Sequence, residues 1–174
     1  MHSQARTELP AASPGRALVE RILATHHVEA RRLLDQIAGT AAELSSALPP
    51  NDPANAIIHD CELLREEMLA HMAREEQVLF PLIIDLEHNG ADEGDIGMLF
   101  SPIVCMKREH GFIDELLARL CAGADAAAVP GDAGDCVRRL VESLASFAAQ
   151  TAEHVRIEND ELFPLATALV PVAR

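Results

Sequence analysis

Apolar residues recur every three to four positions along most of the chain. Leu18, Ile22, Leu23, Leu33, Leu34 and Ile37 mark a first stretch, Leu63, Leu64, Met68 and Met72 a second, and Val137, Leu140, Val141, Leu144 and Phe147 a last one. This is the spacing of a helix with one buried face, and no segment alternates as a half-buried strand would. Ser13-Pro14, Asp52-Pro53 and Ser101-Pro102 each place a capping side chain before a proline. Such a pair reads as a helix start, because the cap accepts an orphan N–H and proline at the first helical position gives up no needed donor. The last periodic run follows the turn-rich "PGDAGD". The expected fold is all-α: an up-and-down antiparallel four-helix bundle over residues 13–174, preceded by a loose tail over 1–12.

A repeat runs through this pattern. "HMAREEQVLFPL" at 71–82 returns as "HVRIENDELFPL" at 154–165, with six of twelve positions identical. The offset of 83 residues relates His71 to His154 and Glu75 to Glu158, and it also carries His27 onto His110. The chain therefore reads as two helical hairpins of one design, each with a histidine on its first helix and His-x-x-x-Glu on its second.

Residues on neighbouring antiparallel helices lie at equal depth when the turn falls midway between them. The midpoints of successive histidines fall at Pro49, at Gly90–Ala91 and at Asp132, within "LPPND", "HNGADEGD" and "PGDAGD". Four histidines from four helices then share one layer, with Glu75 and Glu158 one turn on along the same helix faces. Unpaired charge in a helical core is too costly to keep, so such a cluster is solvated, mutually paired or holds metal. Imidazole with carboxylate suits iron, manganese or zinc, whereas a thiolate site would recruit cysteine. On octahedral counting, six such ligands and a bridging oxide or hydroxide fill about ten of twelve positions on a metal pair and leave about one open on each.

A chain with 8 histidines is expected to contain about one His-x-x-x-Glu by chance, so the weight rests on the shared flanks and the common offset. His26, Glu67 and Glu109 are candidates for orienting a ligand, against the plainer reading that they are helix-surface residues. His2, His59 and His88 are expected in solvent.

Composition narrows the partners. The net charge of -14 opposes binding to nucleic acid or to an anionic membrane. No run approaches the roughly 20 apolar residues of a membrane helix, and the start lacks a signal-peptide core, so the expected location is the cytoplasm. Cys61, Cys105, Cys121 and Cys136 form no C-x-x-C pair and are expected as reduced, buried filler. With no tyrosine or tryptophan in the chain, a tyrosyl-radical enzyme is excluded. No organic-cofactor motif or nucleophile elbow is present.

His27, His71-x-x-x-Glu75 with "EQVLFP" after it, "REHG" at His110 and His154-x-x-x-Glu158 with "LFP" after it together resemble the hemerythrin-like, HHE cation-binding di-iron proteins. The resemblance runs from about residue 14 to 168 and is strongest to the di-iron domain of the repair-of-iron-centres family. It implies two iron ions, oxo- or hydroxo-bridged, with His27, His71, His110 and His154 as terminal ligands and Glu75 and Glu158 as bridges; zinc or manganese is the lesser expectation. It also implies binding or processing of nitric oxide or oxygen species under stress, with iron donation to damaged iron–sulfur clusters and a protein acceptor of iron or electrons. A sensor or carrier without turnover is the alternative, and a metal-free interaction bundle is the third class. Two features depart from the pattern: no paired-cysteine segment precedes the first helix, and the His-x-x-x-His of oxygen carriers is absent, since Gln150 and Asp114 stand where it would need histidine.

Overall fold

In the computed structural model, which describes residues 13–92, 94–127 and 131–170, four long helices carry the chain. Helix α1 runs through Pro14–Arg21, a π-helical segment Ile22–His27 and Val28–Ala47; α2 through Asn55–Arg74, a π segment Glu75–Leu79 and Phe80–Asn89. Helix α3 is Asp95–Ala126, and α4 runs through Asp132–Ile157, a π segment Glu158–Leu162 and Phe163–Leu169. Each helix packs on its neighbour in sequence, and α1 closes the ring against α4. This is the up-and-down four-helix bundle, with no strand among the described residues.

The periodic residues face inward as their spacing requires: Ile22, Leu33, Leu34, Ile37, Leu64, Met68, Met72, Leu140, Leu144 and Phe147 are buried. The core is split in two. One apolar cluster gathers Leu34, Leu44, Met68, Leu120 and Phe147; the other gathers Ile22, Phe80, Ile83, Leu99 and Phe163. Between them lies a layer of buried histidine and glutamate. Packing on both sides closes that layer to water and fixes its depth.

Three expectations about punctuation are corrected. Ser101-Pro102 does not start α3, which begins at Asp95 and carries Pro102 inside it. Ile96 and Leu99 pack into the second apolar cluster and extend the helix backward, and the Met98 carbonyl that loses its partner to Pro102 sits on an exposed residue that water can serve. Asp52 accepts from the Ala54 N–H at 2.9 Å in the turn ahead of the helix, which starts at Asn55 with Ala54 in the cap position and no side-chain cap. Helix α1 starts at Pro14 with Ser13 in the cap position, as expected, but Ser13 does not cap it with its own oxygen. Its hydroxyl donates to Glu87 of α2, whose carboxylate accepts from the Gly15 and Arg16 N–H groups at 2.8 and 3.0 Å. A cap supplied from another helix ties the start of α1 to the end of α2. Glu87→Ala is expected to cost about 1–2 kcal/mol, or roughly 2–8 °C in melting temperature for a chain of this size, measurable by thermal denaturation. The 1–12 tail lies outside the described residues.

The π segments of α2 and α4 follow from the sequence that comes after them. Pro81 and Pro164 stand inside continuous helix, where a proline ring crowds the carbonyl four residues back and offers no N–H. The wide turn before each relieves that clash, with Phe80 N–H bonding to the Glu75 carbonyl and Phe163 N–H to that of Glu158. Each such segment therefore begins on a glutamate of the polar layer, in keeping with the tendency of π turns to mark functional sites.

Candidate metal centre

His27 from α1, His71 and Glu75 from α2, His110 from α3, and His154 and Glu158 from α4 meet in the polar layer, all buried, the two glutamates completely. They sort into two groups, His27, His154, Glu75 and Glu158 in one and His71, His110, Glu75 and Glu158 in the other. Within each group, one donor atom per residue lies within 4.8 Å of every other. Both glutamates belong to both groups, one oxygen to each. Glu75 Oε2 lies 3.2 Å from His27 Nε2 and 3.9 Å from His154 Nε2, while its Oε1 lies 3.2 Å from His71 Nε2. Glu158 Oε1 lies 2.9 Å from His154 Nε2, and its Oε2 3.0 Å from His110 Nε2.

These atoms are close without being satisfied. His27 Nε2, His71 Nε2, His110 Nε2, both Glu75 oxygens and Glu158 Oε2 are buried and lack an aligned hydrogen-bond partner. Leaving so many polar atoms unpaired would cost about 1–3 kcal/mol each. A bound cation meets that need, and a donor set of nitrogen and carboxylate oxygen fits iron, manganese or zinc. The chain has a metal site.

Charge in the cluster is distributed unevenly. Burial, together with the neighbouring Glu158 carboxylate, pushes Glu75 up to about 8. Burial also works against ionised Glu158, but its contacts with His110 and His154 outweigh that and hold the carboxyl well below the usual range. Burial lowers His110, whereas in His154 the pull of Glu158 overcomes burial and raises it. A proton on Glu75 and positive charge toward His154 thus balance two carboxylates sharing one dry layer.

The residues flanking the six differ in what they touch. Glu109 accepts from His71 Nδ1 at 2.9 Å and is held by Arg74 at 2.9 and 3.2 Å. His26 stacks on His154 with ring centroids 5.6 Å apart, and its carbonyl accepts from Gln150 Nε2 at 2.9 Å. Glu67 is half-buried and makes no hydrogen bond or ion pair to any of the six among the described residues. Sequence reasoning passed over Glu76, which accepts from His27 Nδ1 at 2.7 Å and from Arg31 at 2.9 Å. A usable signal was present: a residue next to an inward-facing one points about 100° around the helix, toward a neighbouring helix. Phe80 and Phe163 stack against His27 and His110 and form the apolar wall on one side. His59 and His88 are exposed, as expected, and His2 lies outside the described residues. All four cysteines are free, but Cys105 is exposed rather than filler, because it lies on the outer face of α3, where it bonds to Glu109.

No helix among the described residues is long and apolar enough to cross a membrane. The family model described as the hemerythrin HHE cation binding domain matches residues 18–166. Similar proteins include the iron-sulfur cluster repair protein YtfE of Cronobacter sakazakii, 29% identical over 159 residues that make up 90% of this chain and 68% of that protein. The proteins of the same name from an Enterobacter species and from Escherichia coli O157:H7 are 28% and 26% identical, over 87% and 90% of this chain and 66% and 68% of theirs. The matched region thus spans about two thirds of the relatives' length. With a family match over most of its length and the bundle and buried histidine–glutamate layer to go with it, this chain belongs to the hemerythrin HHE cation-binding family.

Proposed function

We propose that the chain is a non-haem di-iron protein that binds or processes nitric oxide or oxygen species under nitrosative or oxidative stress and supplies iron to damaged iron–sulfur clusters. His27 and His154 would hold one iron and His71 and His110 the other, with Glu75 and Glu158 contributing a carboxylate oxygen to each. The observation that carries this reading is the placement of one oxygen of each buried glutamate in each of the two donor groups. Similarity to proteins named for iron-sulfur cluster repair supports the repair half of the proposal. When bound, the iron pair supplies redox-active cations with room for a small diatomic ligand. The chain's own residues hold the imidazoles in place, exclude water through Phe80 and Phe163, and keep a proton on Glu75 until metal displaces it. Metal analysis and optical spectra of protein from iron-replete cells, before and after anaerobic nitric oxide, test the proposal. About two irons per chain and a spectrum altered by nitric oxide are expected; a single zinc, or no iron uptake under anaerobic conditions, overturns it.

A further inference from the structure

Among the residues that adjoin the six donors in sequence, the 83-residue offset pairs four that matter here. Glu76 follows Glu75 as Asn159 follows Glu158, and Glu109 precedes His110 as His26 precedes His27. The metal-facing donors obey the repeat, but these outer residues do not. Glu76 reaches from α2 to α1 and accepts from His27 Nδ1 at 2.7 Å; Glu109 reaches from α3 to α2 and accepts from His71 Nδ1 at 2.9 Å. An arginine holds each carboxylate, Arg31 for Glu76 and Arg74 for Glu109. In the other half of the repeat, Asp114 and Ile157 stand where those arginines would be. His26 stacks on His154 without accepting from its Nδ1, and Asn159 Oδ1 is buried and unpartnered. The Nδ1 atoms of His110 and His154 are buried and unpartnered too.

A carboxylate behind Nδ1 fixes the ring orientation and the tautomer that turns the Nε2 lone pair toward the metal, and it strengthens the ring as a donor. Each donor group contains one histidine with that support and one without: His27 with His154, and His71 with His110. Resting on the metal-centre reading above, we propose that Glu76 and Glu109 are positioning residues, one for each metal. They make His27 and His71 the anchored donors and leave His154 and His110 as the donors that release first when a metal departs. A cation tethered by one fixed imidazole while the other swings away suits a chain that hands metal on.

Cobalt(II) is the probe, because its visible bands report both stoichiometry and coordination. The cobalt-loaded chain is challenged with excess EDTA and metal loss is followed over time. Glu76→Ala is expected to speed loss of one of the two metals by about 10–100-fold and Glu109→Ala that of the other. Glu76→Gln, which keeps an acceptor oxygen against the ring, recovers part of the effect. Asn159→Glu, which places a carboxylate where the repeat lacks one behind His110, slows loss of the metal that Glu109 supports. Equal acceleration of both metals by either alanine variant, or none, overturns the assignment of one positioning residue to each metal, and unchanged release in Asn159→Glu overturns His110 as the releasing donor. A parent chain that takes up no cobalt overturns instead the metal-centre reading itself.

Discussion

Glutamine in place of Glu75 is expected to empty both metal positions at once while leaving the metal-free bundle folded. The side chain lends one oxygen to each donor group, so its loss is felt twice, and by more than the roughly 10–100-fold that an outer partner is worth. Metal analysis after reconstitution should fall from about two ions per chain toward none. Stability should move the other way. In the metal-free chain Glu75 faces Glu158, His27, His71 and His154, and its carboxyl sits at about 8 against a reference of 4.5. A folded-state value above the unfolded one means that the protonated carboxyl stabilises the fold at low pH, and that this contribution is lost as pH rises from about 4.5 through about 8. Raised His154 loses stability in the same direction, lowered His110 opposes it, and the effect of lowered Glu158 falls below this window. The amide mimics the protonated carboxyl and cannot lose a proton. The metal-free parent is therefore expected to melt progressively lower between pH 5 and 9, and the Glu75→Gln chain to stay nearly flat and exceed it at pH 9. A variant that retains one metal would show that the carboxylate is not shared.

How much of this could be read from the sequence depended on whether the signal was periodic. Burial of Leu34, Met68 and Phe147 follows from helical spacing, and the common layer of His27, His71, His110 and His154 follows from the midpoints at the three turns. Both rest on helix geometry alone. Glu76 was missed because a glutamate beside another glutamate reads as a solvated helix face, although its place about 100° around from inward-facing Glu75 turns it toward a neighbouring helix, where it reaches His27. Ser101-Pro102 misled because a cap-and-proline pair is a local signal, overridden here by the burial of Ile96 and Leu99 upstream. The π turns of α2 and α4 had their cue in the repeated Phe-Pro, since a proline inside a helix that continues must be accommodated by a change in the preceding turn. Tertiary capping of α1 by Glu87, 72 residues from Gly15, had no local cue at all.

Metal uptake is expected to release protons and to strengthen with pH up to about 8. The donors of the metal-free chain are partly occupied by hydrogen: Glu75 holds a proton through neutral pH, and His154 is shifted upward by Glu158. A metal requires both as unprotonated ligands, so binding at pH 7 must displace about one proton from Glu75 and a fraction from His154. Each proton displaced makes the apparent affinity about tenfold weaker per pH unit on the acid side of the group's own value. Between pH 6 and 8 displacement of the Glu75 proton alone should therefore raise the affinity for zinc or ferrous iron by about 50-fold, with His154 adding in the same direction, and the rise should then level off. Calorimetry in buffers of different ionisation enthalpy counts the protons directly, and chelator competition at the two pH values gives the affinities. The same linkage sets thermal stability. At free metal about 1,000 times its dissociation constant, each site adds about 4 kcal/mol, so loading should raise the melting temperature by about 8–16 °C per site, with the increment shrinking as pH falls. Heats independent of the buffer would mean that the layer stands already deprotonated, and that something other than a proton on Glu75 balances its two buried carboxylates.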